Sequence, residues 1–117
     1  MSDILVVDRD QILLPHILSW DYTVEDADSI ELAVEMLRLA HFRAVILAVC
    51  GDAPDGVDAI KRIYEVSPDI RVVAIGAQSS LALERQVRLA KVFFYTVRPV
   101  DLEELKAVLQ RALGDCS

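Results

Sequence analysis

The sequence predicts an α/β domain: a three-layer, doubly wound sheet of five parallel strands with helices on both faces. Three observations predict it. Five short β-branched and aliphatic runs recur along the 117 residues, and stretches of helical period separate them. The runs are also apolar at nearly every position, as in Ile4–Leu5–Val6–Val7, which suits strands covered on both faces rather than strands with one face in water. Strands alternating with helices imply βαβ units and hence a parallel sheet, whose ligands gather beyond the carboxyl ends of the strands.

In chain order, the first strand is Ile4–Val7, which stops at Asp8–Arg9–Asp10. The remaining strands are expected at Tyr22–Ala27, Ala44–Val49, Ile70–Ile75 and Val92–Val97. The segment between Asp10 and Trp20 contains Pro15, which inside a helix would remove a hydrogen bond at a cost of about 3 kcal/mol. The first helix is therefore expected to be short, starting near Pro15, or kinked. Asp28 with Glu31 forms a capping box ahead of a stripe of Leu32, Ala33, Met36, Leu37 and Ala40. A third helix is expected from Asp55–Gly56, burying Val57, Ile60 and Ile63 and ending before Ser67–Pro68. A fourth runs from Ser79 or Ser80 to Ala90, with Leu83, Val87 and Ala90 inward. Asp101 with Glu104 repeats the capping device for the last helix, whose stripe is Leu102, Leu105, Val108, Leu109 and Ala112, with Gly114 as its C-cap.

Composition narrows the function. Residues 1–117 read as a single domain without repeats or linkers, and the 54% hydrophobic content supplies enough core to offset chain entropy. No apolar stretch approaches the ~20 residues that span a bilayer, and no signal-peptide pattern opens the chain, so a cytoplasmic location without membrane attachment is expected. The net charge of −7 disfavours a nucleic-acid partner for this domain; Arg85, Arg88 and Lys91 are too small a basic cluster to reverse it. Cys50 and Cys116 match no metal spacing, and reduced thiols are the default.

The strand ends carry a further signal. Strand one delivers Asp8, Arg9 and Asp10, strand three Ala48, strand four Gly76, and strand five Arg98–Pro99. From Ile4–Leu5–Val6–Val7–Asp8 through Asp55–Gly56 to Arg98–Pro99, almost the whole chain resembles the receiver domains of two-component response regulators. The resemblance implies a flavodoxin-like fold with strand order 2-1-3-4-5. It also implies an acidic pair after the first strand, a phospho-accepting aspartate at the end of the third, a Ser or Thr after the fourth and a Lys–Pro after the fifth. In that family the acceptor lies eight residues before the glycine of the Asp–Gly pair, which here is Gly56 and puts Ala48 at the acceptor position.

A methyl side chain has no lone pair with which to attack phosphorus, so no acyl phosphate is expected at Ala48. The first acidic position is kept as Asp8, the second is Arg9, the hydroxyl position is Gly76, and Arg98 replaces the lysine. Magnesium, which the family holds with three carboxylates, a backbone carbonyl and waters, would lose two of the three carboxylates, and Arg9 adds positive charge in their place. No metal, cofactor or enzymatic activity is expected, and Arg9 or Arg98 is expected to pair with Asp8. The stretch from Asp8 to Tyr22 is also about one helical turn shorter than the family's, which alters a face that often meets histidine-kinase partners.

Other residues invite sharper and blander roles. Asp52 and Asp55 could substitute as acceptors, although Asp55 suits a helix cap better, and Asp10 suits an N-cap better than a displaced member of the acidic pair. Cys50 reads as packing, His16 and His41 as solvent-facing or locally bonded, and Trp20 and Phe42 as closing the core. Tyr95 falls where the family often has an aromatic residue that reports phosphorylation, and its hydroxyl partner is absent at Gly76. With Leu81 and Leu89 it forms a candidate contact surface on the fourth-helix, fifth-strand, fifth-helix face.

Three functions compete. One is a phosphorylation-independent module that binds a protein partner or itself through that face. Another is a working regulator that phosphorylates an unconventional carboxylate. The third is a small-molecule binder using Gly76–Ala77–Gln78–Ser79–Ser80 as an anion nest.

Overall fold

The computed structural model describes residues 3–7, 14–20, 22–49, 53–76, 85, 87–97 and 101–113. Its strands are β1 (Ile4–Val7), β2 (Val24–Ala27), β3 (Ala44–Val49), β4 (Arg71–Gly76) and β5 (Phe94–Val97). Its helices are α1 (Leu14–Leu18), α2 (Ile30–Leu39), α3 (Ala53–Val66), α4, which is described at Arg85 and at 87–89, and α5 (Leu102–Ala112). The sheet order is β2-β1-β3-β4-β5 and every pairing is parallel. The expected five-stranded, flavodoxin-like topology is the one observed.

The apolar runs divide by parity, because successive side chains on a strand point to opposite faces. Leu5, Val7, Val45, Leu47, Val72 and Ala74 pack with Ala33 and Leu37 of α2, Ile60 and Ile63 of α3 and Val87 of α4. Ile4, Val6, Ala44, Ile46, Val73 and Ile75 pack on the other face with Ile17 of α1 and Leu105, Val108, Leu109 and Ala112 of α5. A continuous apolar strand thus feeds two cores at once. Each isoleucine fully buried in this way contributes about 1.5–3 kcal/mol, so an Ile46→Asn change would disrupt the second core from its centre. Phe42 is buried in the first cluster and Trp20 packs on the second, while His16 and His41 face solvent.

α1 is a single short segment with Pro15 at its second position, where the missing N–H breaks no helical bond. α5 is capped as expected: the Asp101 carboxylate accepts from the Glu103 and Glu104 amides at 3.0 and 3.2 Å. α2 departs from expectation by one residue. Its N-cap is Ser29, whose hydroxyl accepts from the Leu32 amide at 3.2 Å, and not Asp28. With that start the inward face runs through Ile30, Ala33, Val34 and Leu37, gaining Val34 and leaving Leu32 and Ala40 exposed. α3 also begins earlier than expected, at Ala53 with Pro54 in its first turn, and it ends at Val66 ahead of Pro68. Asp55 therefore lies inside the helix and is not its cap. Gly114, expected as a C-cap, lies outside the described residues.

Candidate functional site at the carboxyl edge of the sheet

The strand register brings the carboxyl ends of β3, β4 and β5 together. Ala48 pairs with Ile75, Val49 with Gly76, and Gly76 in turn with Val97. Val7, the last residue of β1, pairs with Leu47, the residue before Ala48. Ala48 is partly exposed at this edge, and the side chain it presents is a methyl group.

Gly76 is buried, and the space above its Cα is already taken. A Cβ built there would lie 2.7 Å from the Tyr95 hydroxyl oxygen, 3.4 Å from Tyr95 Cζ and 3.5 Å from Val97 Cγ1. Tyr95 pairs with Ala74, two residues before Gly76, and its ring leans along the strand toward the glycine. The ring is 8% exposed and its hydroxyl is enclosed. Tyr95, expected at the contact surface, is thus mostly buried here, with its hydroxyl in the space that a Cβ at position 76 would need. The sequence showed Gly76 only as a missing hydroxyl. A glycine inside a strand, opposite an aromatic offset by two positions, is the pattern that marks such a close approach.

The other expected site residues divide clearly. Leu89 is 80% exposed on α4, as a contact residue needs to be. Asp8, Arg9, Asp10, Cys50, Asp52, Leu81, Arg98 and Cys116 lie outside the described residues, as do residues 77–80 of the candidate anion nest and the expected pairing of Asp8 with Arg9 or Arg98. Asp55 is described only in its backbone. Among the described residues, no cluster of three or more His, Cys, Asp or Glu side chains could hold a metal ion, and no helix is long and apolar enough to cross a membrane.

A five-stranded parallel sheet in this order is the flavodoxin-like arrangement, with the candidate site where β3, β4 and β5 end. The solved structures agree. A CheY-like response regulator receiver domain protein from Methanospirillum hungatei JF-1 superposes with a TM-score of 0.83 at 21% identity, covering 98% of this chain and 95% of that one. The beryllofluoride-activated NtrC4 receiver domain dimer superposes with a TM-score of 0.85 at 22% identity over the full length of both.

No family model matches the chain. In sequence it is 33% identical over 116 residues to the transcriptional regulatory protein ZraR of Escherichia coli K12, an alignment covering 96% of this chain and 26% of that protein. It is also 37% identical over 60 residues to the DNA-binding transcriptional regulator NtrC of Azospirillum brasilense, covering 51% of this chain and 12% of that one. Fold and sequence together place the chain among the receiver domains of two-component response regulators. It spans about a quarter of the length of the ZraR proteins it matches.

Proposed function

We propose that this domain is a receiver-type regulatory module that works through protein contacts and accepts no phosphoryl group. The observation that carries the proposal is Ala48 at the end of β3, at the position the family's spacing assigns to the acceptor aspartate. Carboxylate attack on phosphorus requires a lone pair that a methyl group lacks. With Arg9 in the acidic pair, a divalent cation would also lack the oxygen ligands it needs.

Communication then rests on shape. The face formed by α4, β5 and α5 presents Leu89, with Leu81 as a further candidate, to a protein partner or a second copy of the chain. The pairing of the NtrC4 receiver domain in its dimer supports the idea that a domain of this shape can self-associate. Nucleic-acid binding, where the longer relatives are transcriptional regulators, falls to segments other than this acidic one.

The test is intact-mass spectrometry after incubation with acetyl phosphate and magnesium. No phosphoryl adduct is expected. A hydroxylamine-labile phosphoryl adduct, localised to Asp52 or Asp55 by peptide mapping, would favour a working regulator with a displaced acceptor and overturn the proposal.

A further inference from the structure

At the opposite, amino end of the sheet, a cleft of about 420 Å³ opens between the end of α3, the start of β4 and the chain entering β5. Its volume lies in the range of roughly 300–1,000 Å³ typical of small-molecule sites. Tyr64, Pro68, Ile70 and Phe93 supply apolar and aromatic wall, and Arg71 and Lys91 supply charge.

The wall is held by specific bonds. The Tyr64 hydroxyl donates to the Lys91 carbonyl at 2.9 Å, tying α3 to the chain leaving α4. The Phe93 amide donates to the Val72 carbonyl at 2.8 Å, which sets Phe93 beside the start of β4. The Arg71 guanidinium sits over the Phe93 ring, 5.1 Å from its centroid. Lys91 has φ 64°, a left-handed conformation that disfavours a residue with a Cβ, and it is fixed there by Tyr64 on one side and by its own amide bonding the Arg88 carbonyl at 3.0 Å.

The charge at this cleft opposes that of the chain. Two cations line it in a protein of net charge −7. None of the ion pairs Arg38–Glu35, Arg43–Asp3 and Arg62–Glu31 draws on Arg71 or Lys91. A guanidinium already stacked on an aromatic ring keeps its in-plane N–H donors free for a planar acceptor.

We propose that this cleft is a binding site for a small planar organic anion, an aromatic carboxylate, with its ring against Pro68, Ile70 and Phe93 and its carboxylate met by Arg71 and Lys91. The site lies at the other end of the strands from Ala48 and Gly76, and it stands or falls separately from the proposal about phosphorylation.

The test is an amide-resolved NMR titration of the 117-residue chain with 2-naphthoate, and in parallel with the uncharged 2-naphthamide. Saturable shifts are expected at Ile70, Arg71, Ala90, Lys91 and Phe93 with the acid. Losing one charge-assisted hydrogen bond, worth about 1.5–3 kcal/mol, should weaken binding at least about tenfold, both for the amide and for the Arg71→Gln variant. Arg71 is exposed, so its replacement should leave the amide spectrum outside the cleft unchanged. Shifts that do not saturate, that are equal for acid and amide, that survive Arg71→Gln, or that fall elsewhere in the molecule would overturn the proposal.

Discussion

The contact between Gly76 and Tyr95 makes a quantitative prediction. In a Gly76→Ala variant the new methyl would sit 2.7 Å from the Tyr95 hydroxyl oxygen, closer than carbon and oxygen tolerate, so the ring must withdraw by several tenths of an ångström. Withdrawal inside a packed core costs about 1–3 kcal/mol. Against this, alanine restricts the unfolded chain and returns about 0.4–1 kcal/mol. The net expectation is a destabilisation of about 1–2 kcal/mol, or a Tm lower by roughly 4–12 °C for a domain of this size.

Overpacking must be separated from a general cost of altering β4, and Tyr95→Phe does this because it removes the one atom inside 3 Å and leaves Cζ at 3.4 Å, an ordinary contact. Gly76→Ala introduced into the Tyr95→Phe background should therefore be neutral or slightly stabilising. The assay is urea denaturation of the four proteins followed by circular dichroism, closed as a double-mutant cycle. A coupling of about 1–3 kcal/mol, the cost of withdrawing the ring, is expected. Equal costs of Gly76→Ala in both backgrounds would show that Tyr95 does not fill the space above Gly76.

Other substitutions probe the frame around the two sites. Asp101→Ala removes the acceptor for two α5 amides and should cost about 1 kcal/mol in denaturation, with Asp101→Asn retaining most of it. Ser29→Ala should cost about 0.5–2 kcal/mol while Asp28→Ala costs a few tenths at most, an order that reverses if Asp28 is the α2 cap. Burial raises the Tyr64 phenol above its ordinary range, partly countered by its backbone contact with Val72, so the folded state holds that proton more tightly than the unfolded chain. This contribution is complete below about pH 10 and is lost as the pH rises from there toward the folded value, so Tyr64→Phe should flatten the alkaline fall in stability measured by denaturant titration.

The fold was legible because its signals were local and redundant. Ile4–Val7, Ala44–Val49 and Arg71–Gly76 are apolar at almost every position, and that pattern alone asks for helices on both faces. Edges were less legible. β2 was expected from Tyr22 but pairs only from Val24, and as an edge strand it carries exposed Glu25 and Asp26, so hydropathy does not mark its bounds. At Asp28–Ser29 two adjacent residues can both cap a helix. The choice went to Ser29, whose cap lets the face of Ile30, Ala33, Val34 and Leu37 reach the core.

The chemistry at the carboxyl edge was read from missing side chains, Ala48 and Gly76. What fills the gap at Gly76 depends on a register between β4 and β5 that the sequence does not state. The amino-end cleft was invisible for the same reason: Tyr64, Arg71, Lys91 and Phe93 come from three separate elements and form no motif.

The departures at this site also bear on what it would take to reverse them. Ala48→Asp alone restores a nucleophilic oxygen, yet the cation that must shield the incoming phosphoryl charge would have two family carboxylates in place of three and an arginine at the third position. Ala48→Asp is therefore expected to show no adduct with acetyl phosphate and magnesium by intact mass, and Ala48→Asp combined with Arg9→Asp is expected to gain one. Even then β5 should not respond. The family resemblance implies a side-chain hydroxyl at position 76 as the link between a phosphoryl group and its neighbour, but that position has no side chain here and Tyr95 already lies against it. The amide resonances of Tyr95, Thr96 and Val97 should stay within their unmodified values on phosphorylation of the double variant. They should shift only when Gly76→Ser is added, because that side chain displaces the ring. Full labelling of Ala48→Asp alone would show that the cation site never depended on the second carboxylate, and a β5 response without Gly76→Ser would show that Tyr95 remains free to move.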